Sequence, residues 1–285
     1  MITSFTALRR IGTFSAGLLL CAAAQAITVL SNNPTPGDSF TNAGPSGTGQ
    51  AVGSSGWYYN NVRASGQVGI NTTYARSGNG SAFMTTPAVA SPGTTNGKAD
   101  IEFLPNASAN SNGNYNPGAS LGSFSAFAGM GYDWYRDASS TTSNVQHPSL
   151  RVLVATTGGL TGLVFERAYN SLPTPTNAWT TDNISSTTNL WSFGAVGFAS
   201  GGYGVTLADW KNDSRLKDAV VVGFSSGVGS GWGGFTGAVD NINWTIGQVT
   251  TTSNFEVSPI PEPSTWAMML AGLVGVGALA RRRKV

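Results

Sequence analysis

Cysteine and histidine are almost absent from this chain, whose 285 residues hold one of each, Cys21 and His147. Cys21 lies inside an apolar run near the start, without the small preceding residue of a lipidation site. The chain after it can form no disulfide, thiolate metal site or cysteine nucleophile. One histidine cannot build a multi-histidine zinc or iron centre. A serine triad would have to use His147, which precedes Pro148 in a loop-like stretch and reads as a surface or capping group. Charge is scarce as well. Charged residues make up 10% against 38 glycines, which excludes coiled coils and long surface helices. Those glycines follow no three-residue period, and no 20–50-residue repeat is visible, so collagen, solenoids and propellers are excluded. Six of the fifteen basic residues sit at the two ends, leaving nine against twelve acidic ones between Ile27 and Ile260. Nucleic acid is therefore excluded as a partner.

What charge there is at the ends has a pattern. Arg9 and Arg10 precede the run Ile11–Ala23, and Ala24-Gln25-Ala26 is a small-x-small cleavage site, so residues 1–26 read as a secretory signal peptide. At the other end Pro259-Ile260-Pro261-Glu262-Pro263 forms a rigid spacer. Trp266–Ala280 follows as fifteen residues without charge, predicted to enter the membrane as a helix of about 22 Å. Arg281, Arg282, Arg283 and Lys284 then hold that end on the cytoplasmic side. Pro261-Glu262-Pro263, the apolar helix and the arginine cluster together resemble the PEP-CTERM sorting signal of Gram-negative bacteria. That resemblance implies recognition by an exosortase, removal of the helix, transient contact with the inner membrane, and delivery to the cell surface or exopolysaccharide matrix.

Between the ends the pattern is β. Residues 27–56 are rich in Asn, Pro, Gly, Ser and Thr and read as a loop-rich opening segment or a loosely attached strand. Residues 57–258 then hold short β-branched and aromatic runs separated by turn formers, which predicts eight to ten strands. Among them are Lys98–Leu104, Leu150–Ala155, Ala219–Phe224 and Ala238–Ile246. The expected fold is an all-β, antiparallel, jelly-roll-like sandwich, with one short helix within Thr206–Lys217. Alternation puts Val152 and Val154 on one face and Arg151 and Leu153 on the other. It also groups Asp240 with Ile242, Trp244 and Ile246, opposite Val239. The runs Tyr132–Asp137, Leu163–Tyr169 and Val222–Trp232 resemble uncharacterised domains found with PEP-CTERM signals, which implies architecture and destination alone.

Three chemistries merit weighing. Lys98-Ala99-Asp100-Ile101-Glu102 resembles the Glu-x-Asp-x-Glu strand of laminarinase-type glycosidases, but Lys98 stands where the resemblance puts the nucleophile. An ammonium cannot trap an oxocarbenium centre, so a degenerate polysaccharide-active enzyme is the remote reading and none of these residues is expected to be catalytic. Asp240, pointed inward with Asn241 beside it and Asp38 as a partner, is the candidate ligand for a structural calcium, the one cofactor considered. Trp57, Tyr58, Trp179 and Trp232 sit in loop-like contexts and are candidates for stacking on the sugars of an extracellular polysaccharide, Trp232 foremost because glycines surround it. The expected protein is a non-catalytic structural or adhesive component, with carbohydrate binding as its sharper form.

Overall fold

The computed structural model describes residues 23–88, 97–197, 202–231 and 233–259. In chain order the strands are β1 (Ala23–Pro34), β2 (Phe40–Asn42), β3 (Thr48–Ala51), β4 (Trp57–Arg63), β5 (Gly66–Asn71), β6 (Ser81–Thr86) and β7 (Lys98–Phe103). A small hairpin, β8 (Ser108–Ala109) and β9 (Tyr115–Asn116), and β10 (Gly122–Ser123) lead to β11 (Phe127–Arg136), β12 (Ser149–Thr156) and β13 (Gly159–Phe165). After β14 (Thr180–Ile184) and β15 (Trp191–Gly194) comes α1 (Leu207–Asn212), then β16 (Val220–Val228), β17 (Phe235–Ile246) and β18 (Val249–Ser258). Helix α1 is fixed at its start by a capping box in which Thr206 and Asp209 satisfy each other's backbone N–H groups.

Two sheets pack face to face as an all-β sandwich. One has β17 at its centre, with β11 and then β14 on one flank. On the other flank β17 pairs with β6 along Phe235–Val239 and with β18 along Ile242–Ile246, so that side of the sheet forks. The second sheet runs β15-β13-β12-β16-β7-β4-β3, with β10 added beside β16. The core between them is aromatic. Trp57 meets the Phe255 ring edge-on at 4.9 Å and donates its indole N–H to Ser253, while Trp244 stacks on Phe224 at 4.4 Å.

Several expectations are corrected here. Among the described residues there are eighteen strands rather than eight to ten. Residues 27–56 are not a loose opening: they supply most of β1 and all of β2 and β3, and Val29 and Val52 are fully buried. The sandwich is not wholly antiparallel, because β1 lies parallel to β18. Val239 shares the core with Ile242, because a bulge at Asp240–Asn241, where Asn241 has φ 50°, reverses the alternation. His147 is buried rather than superficial, packed against Trp134 and Phe165.

Candidate functional site: a polar groove with an aromatic wall

The outer face of the second sheet carries every other residue of its strands, and the pairing registers align them into transverse rows. One row reads Trp191, Val164, Arg151, Ser225, Glu102, Tyr58 across β15, β13, β12, β16, β7 and β4. The next row toward β4's far end is Ser149, Gly227, Asp100, Asn60. On the opposite side lies Phe193, Gly162, Leu153, Gly223. Above these rows the surface forms a groove with a volume of about 570 Å³.

Its floor is a single hydrogen-bonded network. Arg151 Nη1 donates to Asp100 and to the Ser225 hydroxyl, both at 2.9 Å, and Nη2 donates to Ser149 at 2.6 Å. Lys98 Nζ lies 2.9 Å from Asp100 Oδ2, and Ser225 donates to Glu102 at 3.0 Å. Asn60 donates to Glu102 at 2.6 Å and exchanges two hydrogen bonds with the backbone of Tyr115. Burial works against the Asp100 carboxylate, but Arg151 and Lys98 outweigh it and hold its pKa below the usual carboxylate range. Glu102 moves the other way, raised by burial and then by the neighbouring Asp100. Burial also raises Glu166 at the groove's side, and it lowers Lys98, with Arg151 adding to the effect.

Glycine makes this surface flat. A Cβ at Gly227 would stand 1.9 Å from Asp100 Oδ1, and one at Gly162 would stand 2.2 Å from the Phe193 ring. Only at glycine can the carboxylate and the ring lie down on the neighbouring strand. The walls are aromatic. On one side β8 and β9 lean over β4, with the Tyr115 ring tilted against Tyr58 at 4.3 Å. On the other side Trp191 packs 6.2 Å from Phe193 and 6.1 Å from Tyr203, which is itself stacked on Tyr169 at 4.0 Å. Leu160, Phe193 and Tyr203, all groove-lining, remain 42%, 40% and 44% exposed. The arrangement offers donors and acceptors on the floor and apolar ring surface on one side, as a pyranose presents to its binder.

Residues 259–284 match the family described as PEP-CTERM protein-sorting motif. The chain is a PEP-CTERM sorting domain-containing protein. No curated protein matches it significantly. The motif marks an exported protein that is membrane-anchored before exosortase processes it. In this PEP-CTERM protein the motif follows the last strand directly: Ser258, the final residue of β18, donates its backbone N–H to Ser31 Oγ at 2.9 Å. Pro261, Glu262, Pro263, Arg281, Arg282, Arg283 and the predicted transmembrane helix lie outside the described residues, as do residues 1–22 of the expected signal peptide. Ala24 and Ala26 fall on β1, exposed and paired with Thr250 and Thr252. Among the described residues no helix is long and apolar enough to cross a membrane.

The structure sorts the remaining candidates. Asp100 and Glu102 share the groove floor, 39 or more residues in sequence from the partners they meet on β4, β12 and β16. Trp57 is corrected: it is core, because β4 turns Trp57 and Tyr59 inward and leaves Tyr58 and Asn60 outside. Tyr58 is not itself in the groove lining and meets it through Tyr115. Trp232 lies outside the described residues. Trp179 immediately precedes β14 of the opposite sheet and is tilted against Tyr135 at 5.7 Å. Arg151, Ser225, Tyr203 and Trp191 were not foreseen as site residues; the alternation of Arg151 against Val152 was the one available signal. Gly223-Phe224-Ser225-Ser226-Gly227 has the spacing of a nucleophile elbow, yet it runs straight through β16 without turning into a helix.

The calcium reading of Asp240 does not fit the structure. Oδ1 accepts the backbone N–H groups of Asn241 at 2.8 Å and Phe255 at 2.9 Å, and Oδ2 accepts that of Ser77 at 3.3 Å. The carboxylate thus supplies acceptors where the sheet forks and neither β6 nor β18 pairs with β17. Asp38 is likewise engaged, by Asn32, Asn33 and Tyr59. Neighbouring donors are the wrong chemistry for a cation, and among the described residues no three acidic or imidazole groups converge. Calcium and chelator should therefore leave the thermal midpoint unchanged, whereas Asp240→Ala, which orphans three N–H groups, should cost about 3 kcal/mol. Calorimetry in calcium and in EDTA checks both.

Proposed function

We propose that this chain is an exported, non-catalytic component of the bacterial cell surface or extracellular matrix that holds polysaccharide in the groove of its second sheet. The groove carries the reading: a hydrogen-bonding floor beside exposed Leu160, Phe193 and Tyr203 is the surface an amphipathic sugar chain requires. Its position supports the same reading, since the sorting motif leaves from β18 in the other sheet and the groove opens on the sandwich's opposite outer face.

Binding is favoured over hydrolysis by the state of the carboxylates. A glycosidase holds one carboxyl on each side of the scissile bond, free to give or take a proton or to attack. Asp100 is instead held by Lys98, Arg151 and Asn61, and Glu102 by Asn60 and Ser225. The strand position two residues before Asp100, where a third carboxylate would have to attack, holds Lys98 instead. Isothermal titration of the purified protein against a panel of soluble polysaccharides tests the proposal. At least one polysaccharide should bind without being cleaved, and Tyr203→Ala should weaken it roughly tenfold, about 1.4 kcal/mol. Unaltered affinity in that variant would place the ligand elsewhere and overturn the assignment.

A further inference from the structure

The groove is not electrically uniform. At its β4 end Arg63 stands directly opposite Lys98 on β7, a like-charged cross-strand pair of the kind sheets avoid unless something compensates it. Lys98 spends its charge on Asp100. Arg63 donates to the neutral Asn61 side chain and makes no ion pair among the described residues. Both line the groove.

Resting on the glycan reading of this groove, we infer that its ligand is an acidic polysaccharide, a polyuronate, whose carboxylates are taken at the Arg63–Lys98 corner while its sugar rings lie against the Trp191–Phe193–Tyr203 wall. The guanidinium fork of Arg63 matches a carboxylate in two parallel hydrogen bonds, which a hydroxyl cannot reproduce. The acidic groups facing the corner do not cancel it. Asp100 is shared between Lys98 and Arg151, and Glu102, hydrogen-bonded by Asn60 and Ser225, is biased toward its neutral form by burial. Glu166, biased the same way, sits on the far side of Arg151.

The dimensions call for a polymer. Lys98 on β7 and Trp191 on β15 are separated by four strand-to-strand steps, roughly 19 Å across the sheet. One sugar cannot touch both ends. A chain of several units can, with an acidic group at the cationic corner and a ring face at the apolar wall.

The test is calorimetric titration of the purified full-length protein with hexagalacturonate and with the neutral cellohexaose and laminarihexaose. The acidic hexamer should bind at least tenfold more tightly than either neutral one, and that margin should shrink as salt is raised. Arg63→Gln should remove the margin, whereas Tyr203→Ala should weaken all three. Equal affinity for acidic and neutral hexamers, or a margin that survives Arg63→Gln, overturns the acidic-ligand inference while leaving the glycan site standing. Failure of all three to bind, together with tight binding of a single-stranded oligonucleotide, would overturn both.

Discussion

Arg151→Met should lower the unfolding free energy by about 3–5 kcal/mol, a larger loss than any single surface substitution would give. Burial is what decides the size. An exposed arginine–carboxylate pair contributes roughly 0–1 kcal/mol, because water solvates either partner once the other is gone. Arg151 is only 6% exposed and Asp100 only 1%. Removing the guanidinium leaves Asp100 in a water-poor floor with Lys98 and Asn61 as its remaining partners, and takes a donor from each of Ser225 and Ser149. Adding Asp100→Asn to Arg151→Met should recover part of the loss, since the penalty resides in the uncompensated charge rather than in the missing contact. Urea denaturation of the wild type, the single variant and the double variant at neutral pH reads this directly. A loss below 1 kcal/mol would mean that the floor is open to water, and the electrostatic account of the groove would fall with it.

How much of this was legible beforehand depended on whether the signal was local. The sorting motif is contiguous, so its proline spacer, apolar run and arginine cluster could be read in order. The alternation in Arg151–Val154 was equally local, and it correctly separates the groove face from the core. Strand β4 was hidden, because Trp57-Tyr58-Tyr59-Asn60-Asn61 is aromatic or amide on both faces and ends at a left-handed Asn61, φ 52°. Strand β18 was hidden for the opposite reason: Thr250–Asn254 is polar throughout, and only Phe255 and Val257 announce a buried face. The groove itself was invisible because it is non-local. Ser225 and Glu102 lie 123 residues apart, and Gly227 resembles a turn former until the partner strand shows it to be a flat place in a sheet. Asp240 is buried, but the bulge leaves it on Asp133's face, opposite Val239, and the sequence could not reveal that backbone N–H groups, rather than a cation, meet it there.

The second large effect should appear on acidification, and two variants should separate it into opposing parts. His147 is buried as the neutral imidazole: Nε2 accepts the backbone N–H of Arg167 at 2.8 Å, while Nδ1 lies 2.9 Å from the Pro148 carbonyl. A proton on Nε2 would set two N–H groups against each other, and burial lowers the pKa from 6.5 to about 3. Between those values the unfolded chain binds a proton that the folded chain refuses. Stability from this group is complete above about pH 6.5 and is lost as pH falls toward 3, by an amount on the order of 5 kcal/mol. Asp240 has the contrary sign. Burial raises it from 3.8 to about 6, so the folded chain holds the extra proton, and its contribution is present below pH 3.8 and lost as pH rises through 6. That loss is on the order of 3 kcal/mol. The two effects overlap between pH 4 and 6, where the wild-type curve should be nearly flat with respect to this pair, and below that range the histidine alone continues to act. His147→Gln keeps an acceptor for Arg167 without a titration, so its stability relative to wild type should rise by several kcal/mol between pH 7 and pH 3. Asp240→Asn should fall relative to wild type between pH 6 and pH 4. Denaturation curves across that range decide the matter: if either variant runs parallel to wild type, the corresponding group is not titrating where its burial places it.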